Sequence, residues 1–356
     1  MSSTAEKQFL PPPRFDSATA LGWSDVALDG LSCYLRCVEA VLRRRGHSAA
    51  EVAVALGGPV DLLRRGRSGS SYDAHVVEWQ VADDGREHCR RLAELVRSGE
   101  PAIVMPDRFF WPGDELQGRH HFHDHMVLAF ALEDDVLSVL DTDAPSERGH
   151  VRRLPVDPNL WRACTRWGVV RPTAGAGPRS AAEFAARVLG PSLRLLSVDL
   201  AELRSFAGRW HAEGLDETRA HAMHVAVLGD FQPTLFLFAE AARGLEGGGE
   251  LLASVVEPAL RAAKSAKALG LLLIAIHRRP SARAYADAVG AYDRFLDAVD
   301  LLLDAIVDRL GVAHPPPAIP TGRVEQRLRE LVRYCFSEEP AAGVRPLSSS
   351  TDRVSR

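Results

Sequence analysis

The sequence predicts a mixed α+β domain followed by an all-α domain, and three observations carry that expectation. Between about residues 15 and 172, short apolar runs alternate with helical patterns, punctuated throughout by Gly and Pro. The stretch Arg171-Pro-Thr-Ala-Gly-Ala-Gly-Pro178 is a break in composition and the best linker candidate. Beyond it the pattern is almost wholly helical.

Taken in order, residues 1–14 are Pro-rich and are expected to be a disordered lead-in. Leu31, Leu35, Val38 and Leu42 share one face of a helix expected over about 32–45; two more helices are expected around 49–56 and 86–98. Ala102–Met105, set between Pro101 and Pro106, reads as a strand. Two apolar strands follow, joined by a turn at Glu133–Asp135, and a short one at Trp167–Val170. A helical bundle domain is expected over 178–312. Within it Tyr285, Val289, Tyr292, Leu296, Val299, Leu303 and Ile306 repeat at alternating spacings of four and three, between Pro280 and Gly311 as start and stop. Such a stripe serves either as a homodimer seam or as an intramolecular core; Asp297, Asp300, Asp304 and Asp308 fit a solvated outer face. His314–Pro320 reads as a stiff spacer, 321–337 as a last helix, and the Ser- and Arg-rich residues 338–356 as a disordered tail.

Composition narrows the function. The chain has 356 residues, 46% apolar and 25% charged, with a net charge of −4, a poor balance for binding nucleic acid. The N-terminus shows no apolar signal core, and the longest apolar run, Leu269–Ile276, is too short for a bilayer, so no membrane role is expected. Five cysteines (33, 37, 89, 164 and 335), an odd number, point to free thiols in a reducing cytoplasm. No Cys-x-x-Cys pair is present, and no metal or bound cofactor is expected.

Cys33 opens the first helix, on the side away from its apolar stripe. There the unpaired N–H groups and the helix dipole favour a thiolate. His125 stands where the first of the two apolar strands begins, and Asp141 closes the second, sixteen residues later. In an antiparallel pair those ends lie side by side, so Asp141 can hold one ring nitrogen of His125 while the other faces a thiol. Asp143 and His123 are alternates for the carboxylate and the base, and Cys37, one turn along, for the nucleophile. The Cys33 backbone N–H is one expected oxyanion donor; a second is not identifiable beyond the neighbourhood of Trp23–Ser32. The His-rich tract Arg119–His125 invites a metal reading, but it lacks His-Glu-x-x-His and its side chains diverge. The pair His221 and His224 reads as ordinary helix-surface or interface residues.

The order cysteine at a helix start, then histidine, then carboxylate resembles that of papain-like cysteine enzymes. More specifically, the Cys33–Gly46 helix followed by Ser48–Gly58 resembles the N-terminal domain of the acyltransferases of butirosin biosynthesis. The block from His125 to Asp141 resembles the corresponding block of that family and of the peptidases fused to bacteriocin exporters. Cys33-Tyr34 and Val104-Met-Pro-Asp107 resemble a family of bacterial two-domain proteins with a helical second half. Two departures stand out: Ser32 replaces the histidine that precedes the cysteine in the butirosin-type enzymes, and no glutamine lies between Gln8 and Gln80 to complete a peptidase oxyanion hole.

The resemblance implies a papain-like domain whose Cys33 takes an acyl or aminoacyl group from the phosphopantetheine arm of a carrier protein. The group then passes to a small-molecule amine or hydroxyl acceptor in natural-product biosynthesis. A cysteine hydrolase (amidase or peptidase) and a non-catalytic papain-like binding module are the alternatives. The missing glutamine weighs against amide substrates more than thioesters, whose leaving group is already good.

Overall fold

The computed structural model describes residues 16–17, 31–63, 77–81, 85–114, 117–118, 121, 125–141, 150–164, 166–171, 177–245 and 252–335. The expectations for 1–14, for 338–356, for Asp143 and His123, and for residues 23–30 lie outside these residues.

The molecule is mixed α+β. All described strands lie before residue 171, and the described residues from 181 onward form only helices and their connections. The strands are β1 (Asp16–Ser17), β2 (Val77–Val81), β3 (Ala102–Met105), β4 (Val127–Glu133), β5 (Val136–Asp141), β6 (His150–Pro155) and β7 (Arg166–Val170). They form one antiparallel sheet in the order β1-β6-β5-β4-β3-β7-β2, with the two-residue β1 at one edge. Helices α1 (Cys33–Arg44) and α2 (Ala49–Leu56) share a core with one face, through Leu35, Val38, Ile103, Leu128, Leu140 and Val170. Helices α3 (Gly85–Arg97) and α4 (Pro158–Ala163) cover the other face, through Leu92, Val104, Val127, Leu160 and Trp167.

The β4–β5 connection explains its own register. Asp134 and Asp135 both have positive φ, 47° and 57°, giving the two-residue hairpin whose twist matches its strands. Aspartate tolerates this left-handed backbone better than bulky residues do. The ladder starts at Glu133↔Val136 and shifts by one residue between Ala129 and Ala131, so that Asp141 ends opposite Val127. That bulge sets the geometry of the site described below.

The helical half runs through α5 (Ala181–Phe184), α6 (Gly190–Glu213), α7 (Glu217–Ala226), α8 (Gln232–Gly244), α9 (Ala253–Arg278), α10 (Ala282–Leu310) and α11 (Arg323–Cys335). Wider π turns at Ala185–Leu189 and Val227–Phe231 join α5 to α6 and α7 to α8, each just ahead of a proline, Pro191 or Pro233. Proline has no N–H to continue the ladder and its ring crowds the carbonyl four residues back, so a widened turn lets the helix pass without breaking. The resulting run Glu217–Gly244 has the length and apolarity to cross a bilayer, which the sequence reading overlooked; most of it is buried inside the protein.

In α10 the residues Tyr292, Leu296, Val299, Leu303 and Ile306 are buried in the common helical core, while Asp297, Asp304 and Asp308 are exposed. The stripe is therefore an intramolecular core. Ser281 caps the helix start and Gly311, at φ 64°, ends it.

The two halves are stitched together at residues 57–63. A Cβ on Gly57 would lie 2.5 Å from the Ala241 Cβ, so only glycine lets the end of α2 approach α8 this closely. Val60, Leu62 and Leu63 belong to the helical core rather than to the sheet. Their N–H groups are taken by α6: Val60 N donates to Ser192 Oγ at 2.9 Å, Leu62 N to Asp199 Oδ2 at 2.6 Å and Leu63 N to the same oxygen at 3.3 Å. One turn along α6, Glu202 accepts the N–H groups of Thr321, Gly322 and Arg323 and so caps α11 from outside that helix.

Candidate active site

Cys33 is the first residue of α1. Ser32 is the N-cap, its Oγ accepting from Leu35 N at 3.5 Å. The stripe Leu35, Val38 and Leu42 is buried against the sheet, and Cys33 sits partly buried at the margin of that core. At the first helical position the cysteine N–H has no carbonyl four residues back within the helix, as an oxyanion donor requires. The opposite end of α1 is pinned across β7, where Arg45 Nη1 donates to Val170 O at 2.9 Å.

His125 lies two residues before β4, only 5% exposed. Its Nε2 meets Asp141 Oδ1 at 2.9 Å. Cys33 is a second group acting electrostatically on the same ring. Nε2 is engaged by Asp141, and Nδ1 is buried. Burial works against a proton on this imidazole, but the hydrogen bond to Asp141 and the negative charge of Asp141 and Cys33 outweigh it and hold the ring's pKa well above the usual 6.5. The structure thus brings Cys33, His125 and Asp141 together.

Sequence reasoning missed Arg152. It stands on β6, opposite Val139 of β5, and its Nη1 lies 3.3 Å from Asp141 Oδ2, while Nη2 donates to Pro112 O. One oxygen of Asp141 is therefore directed at the histidine and the other held by a cation, which fixes the carboxylate plane. No signal in the sequence marks this arginine, because β6 itself has no clear apolar alternation (His-Val-Arg-Arg-Leu-Pro).

The alternate nucleophile is placed differently. Cys37 is fully buried in the core, its Sγ 3.9 Å from Met126 O, so it faces the sheet. Among the other thiols, burial pushes Cys89 up to about 11 and raises Cys164 further. In the His-rich tract, His121 Nδ1 meets Asp107 Oδ2 at 2.7 Å, and its ring stacks on Phe109 with centroids 4.3 Å apart. Asp107 also accepts from Phe109 N at 3.1 Å, so this buried carboxylate organises the turn after β3. Among the described residues, no group of three or more His, Cys, Asp or Glu converges in a way that would hold a metal ion. His221, His224 and His277 gather on the helical half, and His224 Nδ1 donates to Gly270 O at 2.8 Å.

Compared with known families and curated proteins, the chain matches no family model and no curated protein.

Proposed function

We propose that this protein is a papain-like acyltransferase that carries an acyl or aminoacyl group from a pantetheine thioester, delivered by a carrier protein, to an amine or hydroxyl acceptor in natural-product biosynthesis. The observation that carries the reading is the grouping of Cys33, on a helix start, with His125, which it influences electrostatically, and Asp141, hydrogen-bonded to His125 at 2.9 Å. In this reading residues 15–172 are the catalytic unit and the helical bundle, 178–312, shapes the acceptor side or receives the carrier protein.

The chemistry follows from the groups present. The Cys33 sulfur attacks the thioester carbonyl, and the developing oxyanion is received by the Cys33 N–H at the helix start. The C–S bond to the pantetheine sulfur breaks, and that sulfur leaves with the proton held by the His125 imidazolium. The neutral imidazole then takes a proton from the acceptor as its nitrogen or oxygen attacks the acyl-enzyme, and returns it to the departing Cys33 sulfur. Asp141, held by Arg152, keeps the ring oriented and stabilises its charge without reacting. Support for transfer over peptide hydrolysis comes from the absence of a glutamine between Gln8 and Cys33, since loss of one oxyanion donor costs roughly 10²–10³ in rate and amides depend on it more than thioesters.

The test is intact-mass detection of an acyl adduct after incubation with acyl-carrier thioesters. We expect an adduct on wild-type protein, none on Cys33→Ala or His125→Ala, and little cleavage of generic peptide amides. Cys33-dependent peptide cleavage with no adduct from any thioester would make the protein a cysteine hydrolase. Neither activity, with Cys33 inert, would make it a binding module.

A further inference from the structure

Beside the Cys33 end of α1 lies a cation with no counter-charge among the described residues. Along β7 the side chains alternate: Trp167 and Val169 belong to the core under α3 and α4, and Val170 to the core under α1. Arg166 and Gly168 therefore share the α1 face. Because the C-terminal end of α1 is tied to Val170 through Arg45, its start, with Cys33, lies toward the Arg166 end of the same strand. The register agrees, for Arg166 pairs with Met105 and Val104 with Val127, which puts Arg166 at the sheet end that holds His125.

Trp79 of β2 completes the arrangement. A Cβ on Gly168 would stand 3.0 Å from one atom of the Trp79 ring and 2.6 Å from Val77 Cγ1, so the glycine lets the indole lie down on β7. The indole contacts Tyr34, the neighbour of Cys33, at a centroid distance of 5.9 Å, and the Arg166 guanidinium stacks over it at 4.9 Å. Arg166 Nε and Trp79 Nε1 are buried and, among the described residues, have no hydrogen-bond acceptor, nor does any carboxylate there form an ion pair with Arg166. Two buried N–H groups side by side, one of them on a half-buried guanidinium, are costly to leave unanswered, and an acceptor arriving with a ligand would satisfy them.

We propose that Arg166 and Trp79 form an oxyanion-binding subsite beside Cys33, which receives a carboxylate or phosphate of the substrate as it approaches the thiol. The guanidinium, already stacked, presents its planar fork to such a group at little further cost in ordering. The proposal rests on Cys33 being the nucleophile. The two possible sources are a carboxylate on the acyl chain and the phosphate of the pantetheine arm.

Iodoacetate and iodoacetamide differ only in carrying a carboxylate or an amide, so their rate ratio at Cys33, read by peptide mapping, reports the subsite directly. Arg166→Gln is expected to lower the iodoacetate-to-iodoacetamide ratio about tenfold, a ratio in which any change in the thiolate fraction cancels, and Arg166→Lys to retain part of the preference. Protection of Cys33 from iodoacetamide by succinate would assign the subsite to an acyl carboxylate; protection by phosphopantetheine would assign it to the arm. An unchanged ratio in Arg166→Gln, with no protection by either anion, overturns the proposal. If Cys33 reacts with neither reagent, the nucleophile reading fails on its own. The subsite is then judged by the Arg166 Nε–H resonance, identified by its loss in Arg166→Lys. A shift on adding succinate or phosphopantetheine supports the subsite, and no shift with either overturns it.

Discussion

His125 is the residue on which opposing physical demands meet. Burial alone would strip its proton, yet Asp141 and Cys33 together hold the ring's pKa well above 6.5. A raised histidine pKa means the imidazolium contributes stability that is fully present below the unfolded value and lost as pH rises through the folded one. The same proton serves the leaving group, so the alkaline limb of acyl transfer should fall well above pH 6.5. Asp141→Asn removes the carboxylate charge and should move that limb to lower pH while leaving a reduced residual rate, measured from initial rates across pH. A limb that stays in place would mean that the carboxylate is not what holds the proton. Arg152 sharpens the expectation, because it leaves Asp141 one oxygen for the ring and no freedom to turn.

Among the elements, α6 has an unusual role for a bundle helix. Its buried face carries Ser192, Asp199 and Glu202, which hold the 60–63 segment on one side and the start of α11 on the other. Burial and the charge of nearby Asp61 push Asp199 up to about 7, against the pull of Arg323 and the N–H groups of Leu62 and Leu63. The folded pKa therefore lies above the unfolded one. The protonated carboxyl is the form the fold prefers, and its contribution is present in full below about pH 4 and is lost as pH rises toward 7. At about 1.36 kcal/mol per pKa unit, the loss over that window is on the order of 4 kcal/mol. Denaturant titrations of wild type and Asp199→Asn should show a stability difference that changes by that order between pH 4 and 8. A pH-independent difference would contradict the assignment.

For the whole molecule, the question the sequence left open was whether the α10 stripe joins two chains or one. Val299 is fully buried among helices of the same chain. Val299→Asp would place an unpaired carboxylate in that core, which costs several kcal/mol and is relieved only by unfolding or by taking up a proton. We expect a cooperative loss of helical signal and a sharply lower melting temperature. A folded protein that merely halves its mass by light scattering would restore the seam reading.

Much of the architecture is legible in the sequence because it depends on local pattern. The helix expected near 32–45 is Cys33–Arg44, the strand at 102–105 is observed at those residues, and the one expected at 167–170 begins a residue earlier, at Arg166. Apolar periodicity and capping residues act over a few neighbours, so they survive being read one segment at a time. What escaped is non-local. β6 has weak alternation of its own and exists because β5 pairs with it, so Arg152 could not be placed in advance. β2 (Val-Glu-Trp-Gln-Val) does alternate and was passed over; only its pairing with β7, which lays Trp79 beside Arg166, is non-local. The one-residue shift in the β4–β5 ladder is equally silent in the sequence. Without it Asp141 would stand opposite Leu128 instead of Val127, on the other face of the pleat and a residue further from His125. Local pattern was enough to say which chemical groups are present and which segments carry them. Which of those side chains meet depends on contacts between segments distant in the chain, because such contacts set strand register and the packing of α1 along β7.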